Sequence, residues 1–445
     1  MGVDVKSLGT GRLRASIGAL CLLTLSACGS GNEVILEGER LAIRQAPEVT
    51  GPLSGDNLPK LSLPKAVSNS DWTHENGNIR HSAGHVAGEY PLAPVWSQSI
   101  GKGASSSGRI TSGPIVANRS VFTMDTEALV TAFSTDGARL WSQSLILPGE
   151  AATDGFGGGL SFGSDVLVAG TGFGEVIALE PETGEILWRQ KLDAPVRAAP
   201  TVANGVAYVV SRNDQAFAID LKNGRIRWRI AGIDPAAGVL GGASPAIADG
   251  LAILPFASGE VVATIARNGR RAWTSVISGG RRGHVRARLS DITGDPVVSG
   301  NTIYVANQSG RLVALDRRTG DRLWSANDGS LGPALPVGRS LFFVNDEAVL
   351  KRLNSANGQE IWSVQLPQFE DPEDRKGVYL HSSPILMGGR LLVASSDGAL
   401  RSFDPQSGQE LGSTQIEGDG AAAQPAVAQG RLFVVSRDGT IFAFQ

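Results

Sequence analysis

PVVSGNTIYVANQSGRLVALDRRTGDRLW, from Pro296 to Trp324, decides how the remainder of the chain is read. Pro296-Val-Val, Asn301 to Val305, Arg311 to Asp316 and Arg322-Leu-Trp324 are short, β-branched and alternating, and Ser/Gly, Asn/Gly or Thr/Gly pairs separate them. Such a pattern predicts four strands joined by tight turns. Gly320 supplies the turn that requires positive φ, and Trp324 follows on the outermost strand. There its ring can fill the wedge between adjacent sheets, burying on the order of 150–250 Å².

The same ending, a glycine and then a tryptophan four residues later, recurs at Gly137/Trp141, Gly184/Trp188, Gly224/Trp228, Gly269/Trp273 and Gly358/Trp362. Gly408/Gly412 is a copy without its ring. Successive tryptophans lie 47, 40, 45, 51 and 38 residues apart, a period that belongs to propeller blades or solenoid units. No unit can bury its faces alone, so copies must stack, and closing the stack into a ring removes the open ends. Seven units end at Trp141, Trp188, Trp228, Trp273, Trp324, Trp362 and Gly412. An eighth begins at Pro425 and stops at Gln445 without a fourth strand, while Pro94 to Ile100, containing Trp96, is an outer strand without a unit. The expectation is an all-β, eight-bladed β-propeller of four-stranded antiparallel blades. An N-terminal strand in the last blade closes the ring; seven blades are the lesser alternative.

The composition agrees. Fifty-seven glycines and 6% aromatic residues suit many short strands, and a formal charge of −3 lacks the basic footprint of a nucleic-acid binder. Lys6, Arg12 and Arg14 precede an apolar run from Ile17 to Leu25 that is too short to span a bilayer comfortably. The run ends in Leu25-Ser26-Ala27-Cys28, which resembles the bacterial lipobox. The reading is a lipoprotein signal peptide over 1–27, lipid attachment at Cys28 and, from Gly29 rather than Asp, sorting to the periplasmic face of the outer membrane. An ordinary secretory signal is the alternative. Several acyl chains on one residue make a stable anchor. Cys21 lies in the leader, so the mature chain keeps no thiol for a disulfide, nucleophile or thiolate site.

Residues 28–90 read as a partly extended N-terminal tether and 91–445 as the propeller. Within the tether, His74, His81 and His85 lie near Trp72; a metal site there is weighed against packing onto the ring, and packing is favoured, so no metal is expected. Extra length falls repeatedly after the Trp strand, at 147–159, 230–242, 278–295 and 366–382. Those connections all emerge on one face and predict a binding surface there. The 238–242 stretch is apolar and flexible, and 281–288 carries a basic cluster.

Lipobox, repeats and loops together resemble the BamB family, lipoprotein propellers of the outer-membrane β-barrel assembly machinery. The resemblance covers about residues 90 to 445 and includes Arg288-Leu-Ser-Asp291, Pro296-Val-Val and Gly242 to Pro245. It implies a scaffold without catalysis or cofactor that binds the POTRA domains of a BamA-type protein alongside other assembly lipoproteins, as a monomer within a hetero-complex. It points to Val239, Leu240, Arg288 and Asp291 as partner-binding residues; Leu240 stands where the family loop has arginine, and Thr293 at a family acidic position. Two other functions share this blade: a pyrroloquinoline-quinone dehydrogenase with calcium on the axis, and a periplasmic carbohydrate- or peptidoglycan-binding propeller. The sequence offers no evident carboxylate cluster on the inner strands for the first.

Overall fold

The computed structural model describes residues 58–106, 108–154, 156–233, 241–277, 279 and 290–445. Each repeat folds as one antiparallel sheet whose strands lie in sequence order from the axis outwards, as in Ile292–Ser299, Thr302–Asn307, Arg311–Asp316 and Arg322–Ala326 of blade 5. Eight such blades are present. In the last, Pro94–Ser99 pairs antiparallel with Thr440–Phe444, so the ring is latched by backbone hydrogen bonds between the two ends of the chain. Seven blades are therefore excluded.

Each blade indole packs in the same way. Trp96, Trp141, Trp188, Trp228, Trp273, Trp324 and Trp362 each lie on the positive-φ glycine that turns the third strand of the next blade into its fourth. A Cβ on those glycines would fall 2.5–2.9 Å from the ring, so glycine is required there for space as well as for φ. Each Nε1–H donates to a carbonyl of the same turn, from Thr135 O (3.0 Å) for Trp96 to Pro405 O (3.3 Å) for Trp362. This arrangement explains the copy that lost its ring. Blade 7 would have to place an indole on the corresponding turn of blade 8, and blade 8 has no such turn, because Gln445 ends its third strand and its fourth arrives from Pro94. The approach to the seam strand covers this blade: the Leu92 carbonyl accepts from Thr414 Oγ1, while Tyr90 donates to Met387 O and lies under the Arg390 guanidinium at 4.3 Å. Gly412 has φ +150°, so Gly412→Trp is expected to destabilise the ring by about 1 kcal/mol rather than restore a missing contact, as a lowered denaturation midpoint would register.

All eight outer strands bulge immediately before the Trp position. In every blade but the sixth, where Ile361 is buried, the skipped residue is exposed, as at Leu140, Leu187 and Leu323, and the bulge interrupts the free edge against further strand pairing.

Residues 58–93 do not hang free. They pass across the ends of the inner strands in nearly a full circuit. Trp72 pairs with Val116 of blade 1, Thr73 O accepts from Phe162 N, Ile79 O from Ile247 N, and Arg80 O from Val298 N. His85–Val86 adds a fifth, parallel strand to blade 7, and Asn69 O accepts from Gln429 N of blade 8. Arg352, fully buried, pins the start of this strap by donating to Pro59 O, Gln406 O and Ser340 Oγ. The expected packing onto the ring is thus met over 58–90; residues 28–57, including Cys28, lie outside the described residues.

Candidate functional site

Strand direction alternates through a blade, so turns between strands one and two and between three and four share one end of the ring. Connections from each outer strand to the next blade share the other. The strap covers the first end, the turn face; all four long insertions leave from the second, the loop face. Val239, Leu240 and Arg288 fall outside the described residues, but the bases of their loops do not.

At those loop bases sits Arg197, 3% exposed, which donates through Nη2 to Asp291 and to Ile292 O (3.2 Å). Its Nη1 lies 3.8 Å from Asp214, whose carboxylate accepts from Ala257 N and Ser258 N, both at 2.8 Å. Burial raises the Asp214 pKa despite these donors and the arginine. Gly242 closes the node from above: a Cβ there would lie 2.3 Å from Arg197 Nε. Blades 3, 4 and 5 are thereby tied together at the bases of both insertions. Asp291, read from the sequence as a surface contact, is fully buried and braces the loop bases. Thr293 is likewise buried, donating to Ser330 O. Neither Arg197 nor Asp214 lies in a motif, and Arg197 meets Asp291 across 94 residues of sequence, so the sequence alone gives no signal for this node.

The histidines do not converge. His74 Nε2 lies 3.0 Å from Val202 N and 3.1 Å from Val202 O; His81 Nδ1 donates to Pro296 O (3.0 Å); and Gly389 N donates to His85 Nε2 (2.9 Å), whose Nδ1 bonds Pro64 O (2.7 Å) within the strap. Each ring fastens the strap to a different part of the protein. Among the described residues no set of three His, Cys, Asp or Glu has metal-ligand geometry.

Near the axis, Asp295 accepts from Asn76 Nδ2 (2.8 Å) and Ser244 N (2.6 Å), with His81 Nδ1 4.0 Å away. Desolvation raises the Asp295 pKa. Burial, and then the Asp295 charge, push Glu75 up to about 8, whereas burial and then His81 push His74 down to about 3. The signs oppose one another. An acid that holds its proton more tightly when folded loses stability as pH rises from about 4.5 through about 8; a histidine that refuses its proton loses stability as pH falls below about 6.5. Glu75 keeps part of its surface open, which screens the penalty. Glu75→Gln is expected to raise stability by on the order of 1–3 kcal/mol near pH 9 and to change it little near pH 5. Denaturation midpoints at the two pH values check this; equal gains at both would refute the ionisation argument.

A concavity on the loop face, of about 460 Å³, lies between blades 7 and 8, among Glu370, Tyr379, Asp397, Glu417, Asp419 and Arg437. One wall is a hairpin, Phe369–Asp371 with Lys376–Val378, inside the 366–382 insertion. This hairpin lies where the sequence predicts a plain connection; its signal is the Pro372-Glu-Asp-Arg375 turn between two short runs.

A protein-family model described as outer membrane protein assembly factor BamB matches residues 126–364 and 346–445. The BamB of Yersinia pestis is 28% identical over 370 residues, covering 81% of this chain and 90% of its own length. That of Escherichia coli K12 is 26% identical over 369 residues, covering 80% and 90%. Among solved structures, BamB from Moraxella catarrhalis has TM-score 0.68 at 21% identity, covering 80% of this chain and all of that one. The quinohemoprotein alcohol dehydrogenase of Comamonas testosteroni has TM-score 0.64 at 13% identity, covering 85% and 81%, a likeness of fold alone. The family match runs through most of the ring, including the seam strand's partner and all seven Trp-to-turn joints except the first, and the chain belongs to the BamB family of outer membrane protein assembly factors.

Proposed function

We propose that this protein acts in outer-membrane protein assembly as a rigid, non-enzymatic scaffold, anchored by lipid at Cys28 after removal of residues 1–27. Its loop face would hold the POTRA domains of a BamA-type partner. The observation that carries this reading is the buried Arg197–Asp291–Asp214 node, which fixes the bases of two insertions on neighbouring blades in a family of assembly factors. A surface so braced loses little conformational entropy on binding. Val239 and Leu240 would be the apolar anchors, Arg288 would contribute charge, and Asp291 would act through Arg197. The strap bears on the dehydrogenase alternative: Trp72, Asn76 and His81 line a remaining space of only about 20 Å³ beside blades 6 and 7, room for about one water molecule.

Val239→Glu with Leu240→Glu should reduce co-purification of the BamA-type protein from solubilised envelopes by about tenfold or more, the scale of losing a hot spot, without changing the denaturation midpoint. Undiminished recovery would remove these loops from consideration. In the same preparation, Cys28→Ser should move the chain from the membrane to the soluble fraction; a chain that stays with the membrane would exclude the acyl anchor as the principal attachment.

A further inference from the structure

The repeat provides its own control for reading the surface, because each rim position occurs once per blade. Six residues before the Trp position, in the turn between third and outer strands, blades 3, 4 and 5 carry Lys222, Arg267 and Arg318. The same position holds Thr135, Glu182, Ala356 and Gln406 in blades 1, 2, 6 and 7. Three residues before the Trp position, blades 3 and 4 carry Arg225 and Arg270, against Ala138, Glu185, Asp321, Gln359 and Gln409 in blades 1, 2, 5, 6 and 7. All five cations are exposed, and none forms an ion pair among the described residues. Of the acids in and beside these turns, Asp220 is paired with Arg227 and Asp249 with Arg80 and Arg317, whereas Asp316 and Asp321 of blade 5 accept only from turn groups such as Arg318 N and Thr319 Oγ1, so blade 5 is the least basic of the three. Cations therefore crowd one sector of the turn face in a chain whose net charge is −3.

We propose that this sector, the turn-face rim of blades 3 to 5, is an electrostatic docking surface for the anionic phospholipid headgroups of a membrane leaflet. Three observations favour a membrane over an acidic protein or a nucleic acid. The charges sit on successive blades around the outside of a ring, a convex array without a groove, which matches a plane. Ile226 and Leu323 stand exposed among them, so the rim is basic and apolar together, the composition that suits a headgroup boundary. The strap also joins the ring on this same face, where Leu61 N bonds to Gln406 and Arg352 to Pro59 O, so the chain leading back towards Cys28 meets the ring there. The loop face, reserved for the protein partner, then points away from the membrane-contacting end. Lipid alone localises the molecule; each cation near a charged leaflet adds attraction that falls away within a Debye length.

The inference takes its setting from lipid anchorage, but the test does not need it. The mature chain carrying Cys28→Ser is co-sedimented with vesicles of phosphatidylcholine alone and of two parts phosphatidylcholine to one part phosphatidylglycerol. Binding is expected only to the second, falling about tenfold or more as salt rises from roughly 0.05 M to roughly 0.3 M. Lys222→Glu, Arg267→Glu, Arg270→Glu and Arg318→Glu combined should lower it at least about tenfold. Ala138→Glu, Ala356→Glu and Gln409→Glu, which add negative charge at equivalent positions of other blades, should leave it nearly unchanged. All seven sites are exposed, so circular dichroism should show the same fold in both sets. Failure to bind either vesicle, equal binding to both, or equal loss in both sets of variants would overturn the proposal. None of those results bears on the loop-face partner, which is read by co-purification.

Discussion

Asp291→Ala is expected to destabilise the ring by about 3–5 kcal/mol, among the largest effects of any single polar substitution in this protein. The reason is the charge left behind rather than the bond lost. Arg197 is buried, its Nη1 has no hydrogen-bond partner, and Asp214 stands 3.8 Å away with a carboxylate already committed to two backbone donors of blade 4. Removing Asp291 strands a guanidinium where water cannot reach it. Replacing both ends with apolar residues of similar size, Arg197→Met with Asp291→Leu, should recover much of the loss, because the desolvation penalty disappears together with the attraction. Chemical-denaturation midpoints of the two single variants and the double variant check this. Strictly additive losses would mean that the node is not a coupled unit. For function, substitutions at Asp291 would disturb partner binding by loosening the loop bases, so they cannot stand as evidence for direct contact; Val239 and Leu240 are the cleaner probes.

Trp96→Ala should cost about 3–5 kcal/mol, the range for emptying a large aromatic site. Its ring lies 6.3 Å from Phe133 and 6.0 Å from Phe433, so it joins the borrowed strand to both the first and the last blade. Trp362→Ala removes a comparable ring, which lies 5.8 Å from Phe342 of its own blade and rests on the Gly408 turn of the next, a blade that the chain itself connects. The two variants should therefore differ in kind. Loss of Trp362 loosens one joint, whereas loss of Trp96 weakens the only joint at which no peptide bond links the outer strand to its own blade. Limited proteolysis should cut residues 58–93 early in Trp96→Ala and not in Trp362→Ala at matched stability. Identical cleavage patterns would show that the seam is no weaker than the other joints.

What could be read from the sequence was whatever repeats or is adjacent. The four-residue step from glycine to tryptophan carries both a turn and the ring that rests on its neighbour, so blade number, strand order and even the seam at Pro94–Ser99 followed from spacing. The missing tryptophan at Gly412 was visible as a fact, yet its reason was not: it depends on where the neighbouring blade is interrupted, which is a property of the closed ring. The strap was misread in part for the opposite reason. Residues 58–93 have no period, and their polar, proline-containing composition resembles a linker; only the inner-strand ends that accept Trp72, His74 and Val86 make the segment ordered. Likewise Asp291 looked like a surface acid within a motif, and the fold turned it inwards onto Arg197, a residue with no local signature. Local chemistry determined the blades. Closing them into a ring decided which charges are buried against one another and which are left on the rim, because those relations join residues tens to hundreds of positions apart.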